Sequence, residues 1–249
     1  MVEKFLKNKT VIRIGMVIAF SGLTLGGFFL ARDLVSNIFR YLVESGTVDI
    51  SGVNIAVLNT VVALICYIVA LTIAIGLPWV IFNKRTTLRD IGLHRFPSWS
   101  EIGLAPIGFV VYMIASMLVM FSIIQLIPGF DIKEAQETGF GNITQRYEYV
   151  VAFFTLVVLA PVAEEVLFRG YLYGRLKRWA PWVISALITS VLFGFAHGQW
   201  NVGIDTFVMS MIACMLRDIC GSLWPAIMLH MIKNGIAYYF LFVNPIIGS

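Results

Sequence analysis

The chain has 249 residues, of which 59% are hydrophobic and 13% are charged. A soluble domain is about 45–50% apolar and about 25% charged, so this composition excludes an ordinary soluble globular protein and also a disordered chain. The net charge is +4 at pH 7. Because the basic residues lie between apolar stretches, we interpret them as signals of membrane topology and expect no nucleic-acid partner.

Long continuous apolar stretches predict an all-α, polytopic helical membrane protein, since a β-barrel would show short alternating segments. A helix needs about 20 residues to cross the hydrocarbon core. Seven stretches are candidates: residues 11–31, 53–82, 102–128, 149–167, 181–196, 202–220 and 222–243. We therefore expect about seven to eight transmembrane helices.

The basic residues predict that the N-terminus is cytoplasmic. In that orientation the inner segments hold Lys4, Lys7, Lys9, Arg13, Lys84, Arg85, Arg89, Arg95, Arg169, Arg175, Lys177, Arg178 and Arg217. The outer segments hold only Arg32, Arg40, Lys133 and Arg146. This asymmetry is the positive-inside pattern. Residues 83–101 mix apolar and basic side chains, which predicts an interfacial segment on the cytoplasmic surface.

Two adjacent glutamates end the fourth apolar stretch, in the run APVAEEVLFRG at residues 160–170. A charged side chain at the bilayer centre costs about 2.5–3.5 kcal/mol, so its presence needs a reason. Glu165 precedes Arg169 by four residues, the favourable order for a helical ion pair. Glu164 points toward another face. We predict that Arg169 neutralises Glu165 and leaves Glu164 free; a purely structural ion cluster is the alternative.

Two of the three histidines also lie in apolar stretches. His197 ends the fifth stretch, where a lone histidine would ordinarily be a packing residue. His230 and Asn234 lie in the last stretch, one helical turn apart on one face; such a pair either bonds to a neighbouring helix or faces a wet cavity. Lys233 lies on a different face, and we expect its side chain to reach toward the membrane surface.

An unpaired glutamate and two imidazoles can activate water and stabilise an oxyanion, and they can equally ligate a metal. These groups converge only if the fourth helix is long. With a rise of about 1.5 Å per residue, a helix that ended at Leu167 would leave Glu164 near the cytoplasmic surface. We therefore predict a helix over about residues 149–178, which brings Glu164 to the depth of His197 and His230.

Three motifs in this order resemble the type II CAAX prenyl endopeptidases, a family often called the CPBP or Abi intramembrane proteases. The motifs are Glu164-Glu165-x-x-x-Arg169, Phe193-x-x-x-His197 and His230-x-x-x-Asn234. The resemblance covers roughly residues 150–240. It predicts a division into N-terminal spans with an interfacial segment, residues 1–148, and a catalytic membrane core, residues 149–249.

The resemblance implies an intramembrane endopeptidase, either a metalloprotease or a glutamate-type protease. By analogy, Glu164 and His197 would activate the attacking water, and His230 and Asn234 would stabilise the oxyanion. Glu165 and Arg169 would support the first of these helices. If a divalent metal such as zinc takes part, its ligands would be Glu164, His197 and His230, with water in an open position.

The expected partners are the lipid bilayer and a membrane-anchored peptide or protein substrate, for which the family precedent is a prenylated C-terminal CAAX peptide. The expected location is the plasma membrane of a prokaryote, as a multi-pass protein. Two other functions stay open. One is a non-catalytic scaffold or bacteriocin self-immunity protein of the same family, and the other is a proton-coupled carrier, since buried Glu and His side chains can also relay protons.

Overall fold

The computed structural model describes residues 9–83, 85–131, 138–141 and 143–244. Four of the basic residues used to predict the orientation, Lys4, Lys7, Lys84 and Lys133, lie outside the described residues.

The described residues fold into helices without strands, which confirms the all-α prediction. In chain order we name them α1 (Lys9–Glu44), α2 (Ile55–Ile81), α3 (Leu88–Ile91), α4 (Trp99–Leu126), α5 (Arg146–Leu176), α6 (Trp182–Ala196), α7 (Trp200–Cys220) and α8 (Trp224–Val243). Seven of these are long, and each corresponds to one of the predicted apolar stretches. The remaining helix, α3, is a single turn within the predicted interfacial segment.

Five of the helices in the described part of the chain, α1, α2, α4, α5 and α8, are long and apolar enough to cross a membrane. Helix α6 is apolar but shorter, with 15 residues. Helix α7 has 21 residues but carries Asp205, Arg217 and Asp218. The chain is therefore an all-α polytopic membrane protein. Among its described long helices, α6 and α7 fall outside the criteria for spanning, and they form one hairpin.

Helix α5 is about as long as was predicted for Glu164 to reach the depth of His197 and His230. It runs from Arg146 to Leu176, so the alternative in which the fourth span ends at Leu167 is wrong. Arg169 consequently lies inside the helix with no exposed surface, and it is not a loop residue that reports orientation. The other basic residues that follow it, from Arg175 onward, still lie at the cytoplasmic end of the predicted topology.

Bulky side chains of α5, α6 and α7 form the centre of the bundle. Phe168, Tyr171, Phe193 and Met209 are essentially inaccessible to solvent, and they belong to a cluster that α1, α2, α4 and α8 complete. Large apolar side chains on the outside are exposed instead; examples are Val80 at 78% and Met117 at 68%. Such an apolar exterior is what helices surrounded by lipid require.

The segment between α2 and α4 is bonded to the C-terminal end of α5 and to the N-terminal end of α8, the helices that carry two of the polar motifs. The Leu223 N–H donates to the Gly92 carbonyl at 2.9 Å, and the Trp224 indole N–H donates to the Arg95 carbonyl at 2.7 Å. Asp90 accepts from the Arg178 guanidinium at 2.7 Å. These bonds set the position of the end of α5 relative to the start of α8.

Asp90 also completes a capping box at the start of α3. Its carboxylate accepts from the Thr87 N–H at 2.9 Å, and the Thr87 hydroxyl accepts from the Asp90 N–H. Burial raises the pKa of Asp90, but the hydrogen bonds from Thr87 and the charges of Arg178 and Arg175 outweigh this, so the pKa of Asp90 lies below its ordinary value.

Replacing Asp90 by Asn is expected to lower the free energy of unfolding by about 1 kcal/mol at neutral pH. Because the folded-state pKa is depressed, this contribution is complete above the unfolded pKa of about 3.9 and disappears as the pH falls through the lower folded-state value. Unfolding in detergent micelles between neutral and acid pH measures it. A difference between wild type and Asp90→Asn that persisted at the most acid pH would contradict the assignment.

Helices α6 and α7 approach each other closely where both carry glycine. A Cβ atom on Gly194 would lie 2.5 Å from the Gly203 carbonyl oxygen, and a Cβ on Gly203 would lie 2.9 Å from the Gly194 carbonyl oxygen. The turn between the helices uses Gly198 with φ +74°, a conformation that favours glycine. His197 lies at the end of α6, beside this turn.

Gly194→Ala is therefore expected to destabilise the protein by about 1–3 kcal/mol, the usual cost of overpacking, because the obstacle is backbone and cannot rotate away. Gly26→Ala in α1 is the matched control, since a Cβ there would have no neighbour within 4 Å. Alanine should stabilise that helix by about 0.5–1 kcal/mol. Unfolding of both variants in micelles tests the pair, and equal effects would contradict the close approach.

Candidate active site

The middle of α5 is widened by two π-helical segments, Phe154–Leu159 and Val166–Leu172. In the first, the Ala160 N–H bonds to the Thr155 carbonyl, five residues back. The next residue in this register is Pro161, which has no N–H to give to the Leu156 carbonyl. Asn234 of α8 supplies the missing donor, since its Nδ2 lies 2.9 Å from the Leu156 oxygen. Asn234 thereby fixes α8 against α5.

Glu165 forms the buried centre of the site. Its Oε1 lies 2.9 Å from Nη1 of Arg169 and 2.9 Å from Nδ1 of His230. The side chains of Glu165 and Arg169 have no exposed surface, and that of His230 is 3% exposed. The predicted pairing of Glu165 with Arg169 is therefore present, and it extends to a third member on α8.

Phe193 of α6 contacts all the cationic and imidazole groups of the site. The Arg169 guanidinium carbon lies 4.0 Å from the ring centroid, a cation–π distance. The rings of His197 and His230 pack edge-on at 4.8 Å and 5.9 Å. The guanidinium nitrogens of Arg169 make no well-directed hydrogen bond within the described residues, so Arg169 is held by the ion pair and by this aromatic face.

Glu164 projects to the other side, as its neighbouring position on the helix requires. Its Oε1 accepts a hydrogen bond from the Tyr67 hydroxyl of α2 at 2.5 Å, and its Oε2 lies 3.9 Å from Nε2 of His230. The side chain is 14% exposed, in contrast to the fully enclosed Glu165. The prediction that Arg169 serves only one glutamate is consistent with this arrangement, but Glu164 is not free, because Tyr67 binds it.

His197 caps the C-terminus of α6. Its Nδ1 lies 2.8 Å from the Phe193 carbonyl oxygen, so that nitrogen carries the hydrogen and Nε2 offers a lone pair when the ring is neutral. The imidazole interacts electrostatically with Glu164, His230 and Lys233. His197 is thus part of the same polar group as Glu164.

The structure brings five of the six predicted site residues together: Glu164, Glu165, Arg169, His197 and His230. Asn234 is one helical turn from His230, but one amide N–H is used by the Leu156 carbonyl. The second N–H of an amide is available for another acceptor. None of these observations tests the catalytic roles, which stay predictions.

The sequence analysis missed two residues of this region. Asp205 of α7 accepts from the hydroxyls of Tyr112 at 2.7 Å and Ser116 at 2.6 Å, and its carboxylate lies 3.3 Å from Nζ of Lys233. The expectation that Lys233 reaches the membrane surface is therefore wrong. Asp205 could have been found from the sequence, because it is a carboxylate within a predicted span. Nothing in the local sequence distinguishes Tyr67 from other aromatic residues of its helix.

The predicted zinc ligands do not form a three-ligand set as they stand. Within the described part of the chain, no group of three His, Cys, Asp or Glu side chains is close enough to hold a metal ion. Glu164 and His230 approach each other at 3.9 Å, and the chemistry of the two imidazoles and the carboxylate suits zinc. The geometry of these side chains does not suit zinc, so zinc binding stays a prediction and no catalytic step is assigned to it.

Comparison with known proteins identifies the class of domain that carries this site. Residues 146–236 match the family model described as "Type II CAAX prenyl endopeptidase Rce1-like". The match includes all three motifs, and the resemblance to the type II CAAX prenyl endopeptidases is confirmed. These residues are thus similar to an Rce1-like domain, and they lie in an all-α membrane protein.

Two curated proteins are similar to this chain, one over most of its length and one over about a third. The chain is 24% identical over 204 residues to the membrane-embedded CAAX protease MroQ of Staphylococcus aureus (strain USA300), covering 80% of each chain. It is 33% identical over 90 residues to an uncharacterized 24.3 kDa protein of Escherichia coli, covering 34% of this chain and 41% of that protein. No solved structure matches. The comparisons support a protease-type function.

Proposed function

We propose that the chain is an intramembrane endopeptidase that hydrolyses a peptide bond of a membrane-anchored substrate. The observation that carries this proposal is the Glu164 carboxylate, which is partly exposed and faces His230, beside a second glutamate that is enclosed and paired with Arg169. Two neighbouring carboxylates with such different surroundings have different chemical roles. Glu165 holds His230, and Glu164 remains available to water.

Glu164 acts as the general base. Its hydrogen-bond partner Tyr67 is neutral, so the carboxylate is oriented without being neutralised by a cation. Glu164 takes a proton from a water molecule, with His197 helping to position that water. The water oxygen then bonds to the carbonyl carbon of the scissile peptide, and the carbonyl oxygen becomes an oxyanion.

His230 stabilises the oxyanion. Glu165 is paired with Arg169 and lies 2.9 Å from Nδ1 of His230, so Nδ1 donates its hydrogen to Glu165 and Nε2 faces the side of Glu164. Nε2 donates to an oxyanion only when the ring is cationic. With a cationic His230, the charges of Glu164, Glu165, Arg169 and His230 sum to zero, which a site enclosed in a membrane protein favours.

Collapse of the tetrahedral intermediate completes the reaction. The C–N bond breaks, the electron pair goes to the leaving nitrogen, and the proton held by Glu164 passes to the new amine. The second N–H of Asn234 would add to the stabilisation of the oxyanion. Glu165 and Arg169 take no part in bond changes and keep His230 in place.

The proposed substrate is a peptide anchored in the membrane, and a prenylated C-terminal CAAX sequence is its first candidate, given the description of the matching family model. The distribution of basic residues supports a cytoplasmic N-terminus, and a prokaryotic plasma membrane is the proposed location. Among the described basic residues, Arg175, Lys177 and Arg178 lie at or just beyond the end of α5, on the side proposed to be cytoplasmic.

The proposal is tested with purified protein in lipid vesicles and two synthetic peptides that end in the same CAAX sequence, with and without a farnesyl group. We expect wild type to release the C-terminal fragment from the farnesylated peptide faster, as measured by mass spectrometry. If neither peptide is cleaved, the second experiment is terminal labelling of membrane proteins from cells that carry wild type or Glu164→Ala. If no new terminus depends on Glu164, the endopeptidase proposal fails.

The scaffold function predicts a different result. If Glu164, His197 and His230 serve only packing, their alanine variants lose melting temperature and no substrate accumulates in their absence. Under the endopeptidase proposal, Glu164→Ala keeps the melting temperature of wild type, because the side chain is partly exposed. Melting curves of the three variants, recorded beside the labelling experiment, separate these functions.

A further inference from the structure

Among the described residues of the N-terminal half of the chain, only Tyr67 makes a hydrogen bond to a predicted site residue. Its hydroxyl donates to Oε1 of Glu164 at 2.5 Å across 97 positions of sequence. It lies on α2, outside the residues 146–236 that match the family model.

The ring of Tyr67 is itself held in place. Phe28 of α1 packs against it with a centroid distance of 6.5 Å. Phe28 also packs on Phe168 at 6.3 Å, and Phe168 packs on Phe193 at 5.0 Å. This row of aromatic rings connects Tyr67 to the same phenylalanine that contacts Arg169, His197 and His230. The hydroxyl is therefore presented from a fixed ring and not from a mobile one.

The bond from Tyr67 determines which oxygen of Glu164 is available. A glutamate on a helix can rotate about its last side-chain bonds, and this rotation is broad. With Oε1 bound to Tyr67, Oε2 lies toward His230 at 3.9 Å. We propose that Tyr67 is a positioning residue for the general base, which aims Oε2 of Glu164 at the attacking water. This inference rests on the proposed function, since it assigns Tyr67 a role through Glu164.

The alternative is that Tyr67 only packs α2 against α5. A packing residue would affect folding and substrate binding, whereas a positioning residue affects the chemical step. Phenylalanine keeps the ring and its contact with Phe28 and removes only the hydroxyl, so Tyr67→Phe separates the two. Tyr239→Phe is the matched control, because Tyr239 is 46% exposed on α8.

We expect Tyr67→Phe to lower kcat about 10-fold to 100-fold, which corresponds to the loss of a hydrogen bond to a charged group. KM and the melting temperature should stay near those of wild type, and Tyr239→Phe should retain full kcat. A fall in melting temperature with unchanged kcat would assign Tyr67 to packing and overturn the inference. Unchanged kcat, KM and melting temperature would overturn it as well.

A second measurement keeps the test independent of turnover. In the Glu164→Gln protein, which should bind substrate without cleaving it, addition of Tyr67→Phe is expected to leave the Kd for the farnesylated peptide unchanged. A Kd weakened tenfold would place Tyr67 in substrate binding and overturn the positioning role. If Glu164→Gln cleaves at the wild-type rate, the proposed function fails; if only Tyr67→Phe does, the proposed function stands and this inference alone fails.

Discussion

Glu164→Gln is expected to lower the rate of peptide cleavage by about 10²-fold to 10⁴-fold, the usual contribution of a general base. Glutamine has the shape of glutamate and can still accept the hydrogen bond from Tyr67, so the local contacts are kept. It cannot take a proton from water at neutral pH. The measurement is kcat for the farnesylated peptide in vesicles, together with the melting temperature.

Glu44→Gln is the control, because Glu44 is an exposed carboxylate at the end of α1. It should keep both the cleavage rate and the melting temperature. Wild-type activity in Glu164→Gln would contradict the assignment of the base. A large loss of melting temperature in the same variant would show instead that Glu164 serves the fold.

Arg169→Met is expected to lower the free energy of unfolding by about 3–5 kcal/mol, because it removes a cation from the buried Glu165 and leaves the enclosed site with an unbalanced negative charge. Glu165 and Arg169 have no exposed surface, so water cannot replace the lost partner. Methionine is long and apolar and fills much of the same space beside Phe193, which keeps the loss of packing small. Equilibrium unfolding in mixed micelles measures the difference.

Two further variants serve as a control and a rescue for Arg169→Met. Arg32→Met removes an arginine from an ion pair that is 3.5 Å long and more than half exposed, and exposed pairs contribute at most about 1 kcal/mol. Adding Glu165→Gln to Arg169→Met should restore part of the stability, because a neutral amide needs no cation and still accepts the hydrogen bond from His230. If the double variant is no more stable than Arg169→Met, the buried-charge explanation is wrong.

The helices of this protein could be predicted from the sequence because lipid requires long apolar segments. All seven predicted stretches correspond to helices in the described residues. The requirement that Glu164 reach the depth of His197 and His230 also predicted that α5 continues past Leu167, and the structure confirms it. Hydropathy did not reveal the two π-helical segments of α5. The first of them, Phe154–Leu159, has a partly local cause at Pro161 and a partly tertiary one in the contact from Asn234 to Leu156.

The candidate site was predictable to the extent that its contacts are local. Glu165 and Arg169 are one helical turn apart, so their pairing follows from helix geometry. The bond from His230 to Glu165 spans 65 positions, and that from Tyr67 to Glu164 spans 97. Neither has a periodic signal in the sequence, because distant residues meet only after the helices have packed.

By itself, then, the sequence determined that the chain is a bundle of membrane helices and that an acid, two imidazoles and an amide lie within those helices, since apolar length and helical spacing are properties of each segment alone. Only the tertiary structure decided that His230 joins Glu165, that Tyr67 binds Glu164, and that Lys233 pairs with Asp205. The physical reason is that burial and partner choice depend on how separate helices pack, and a charge within a membrane takes the partner that packing brings to it.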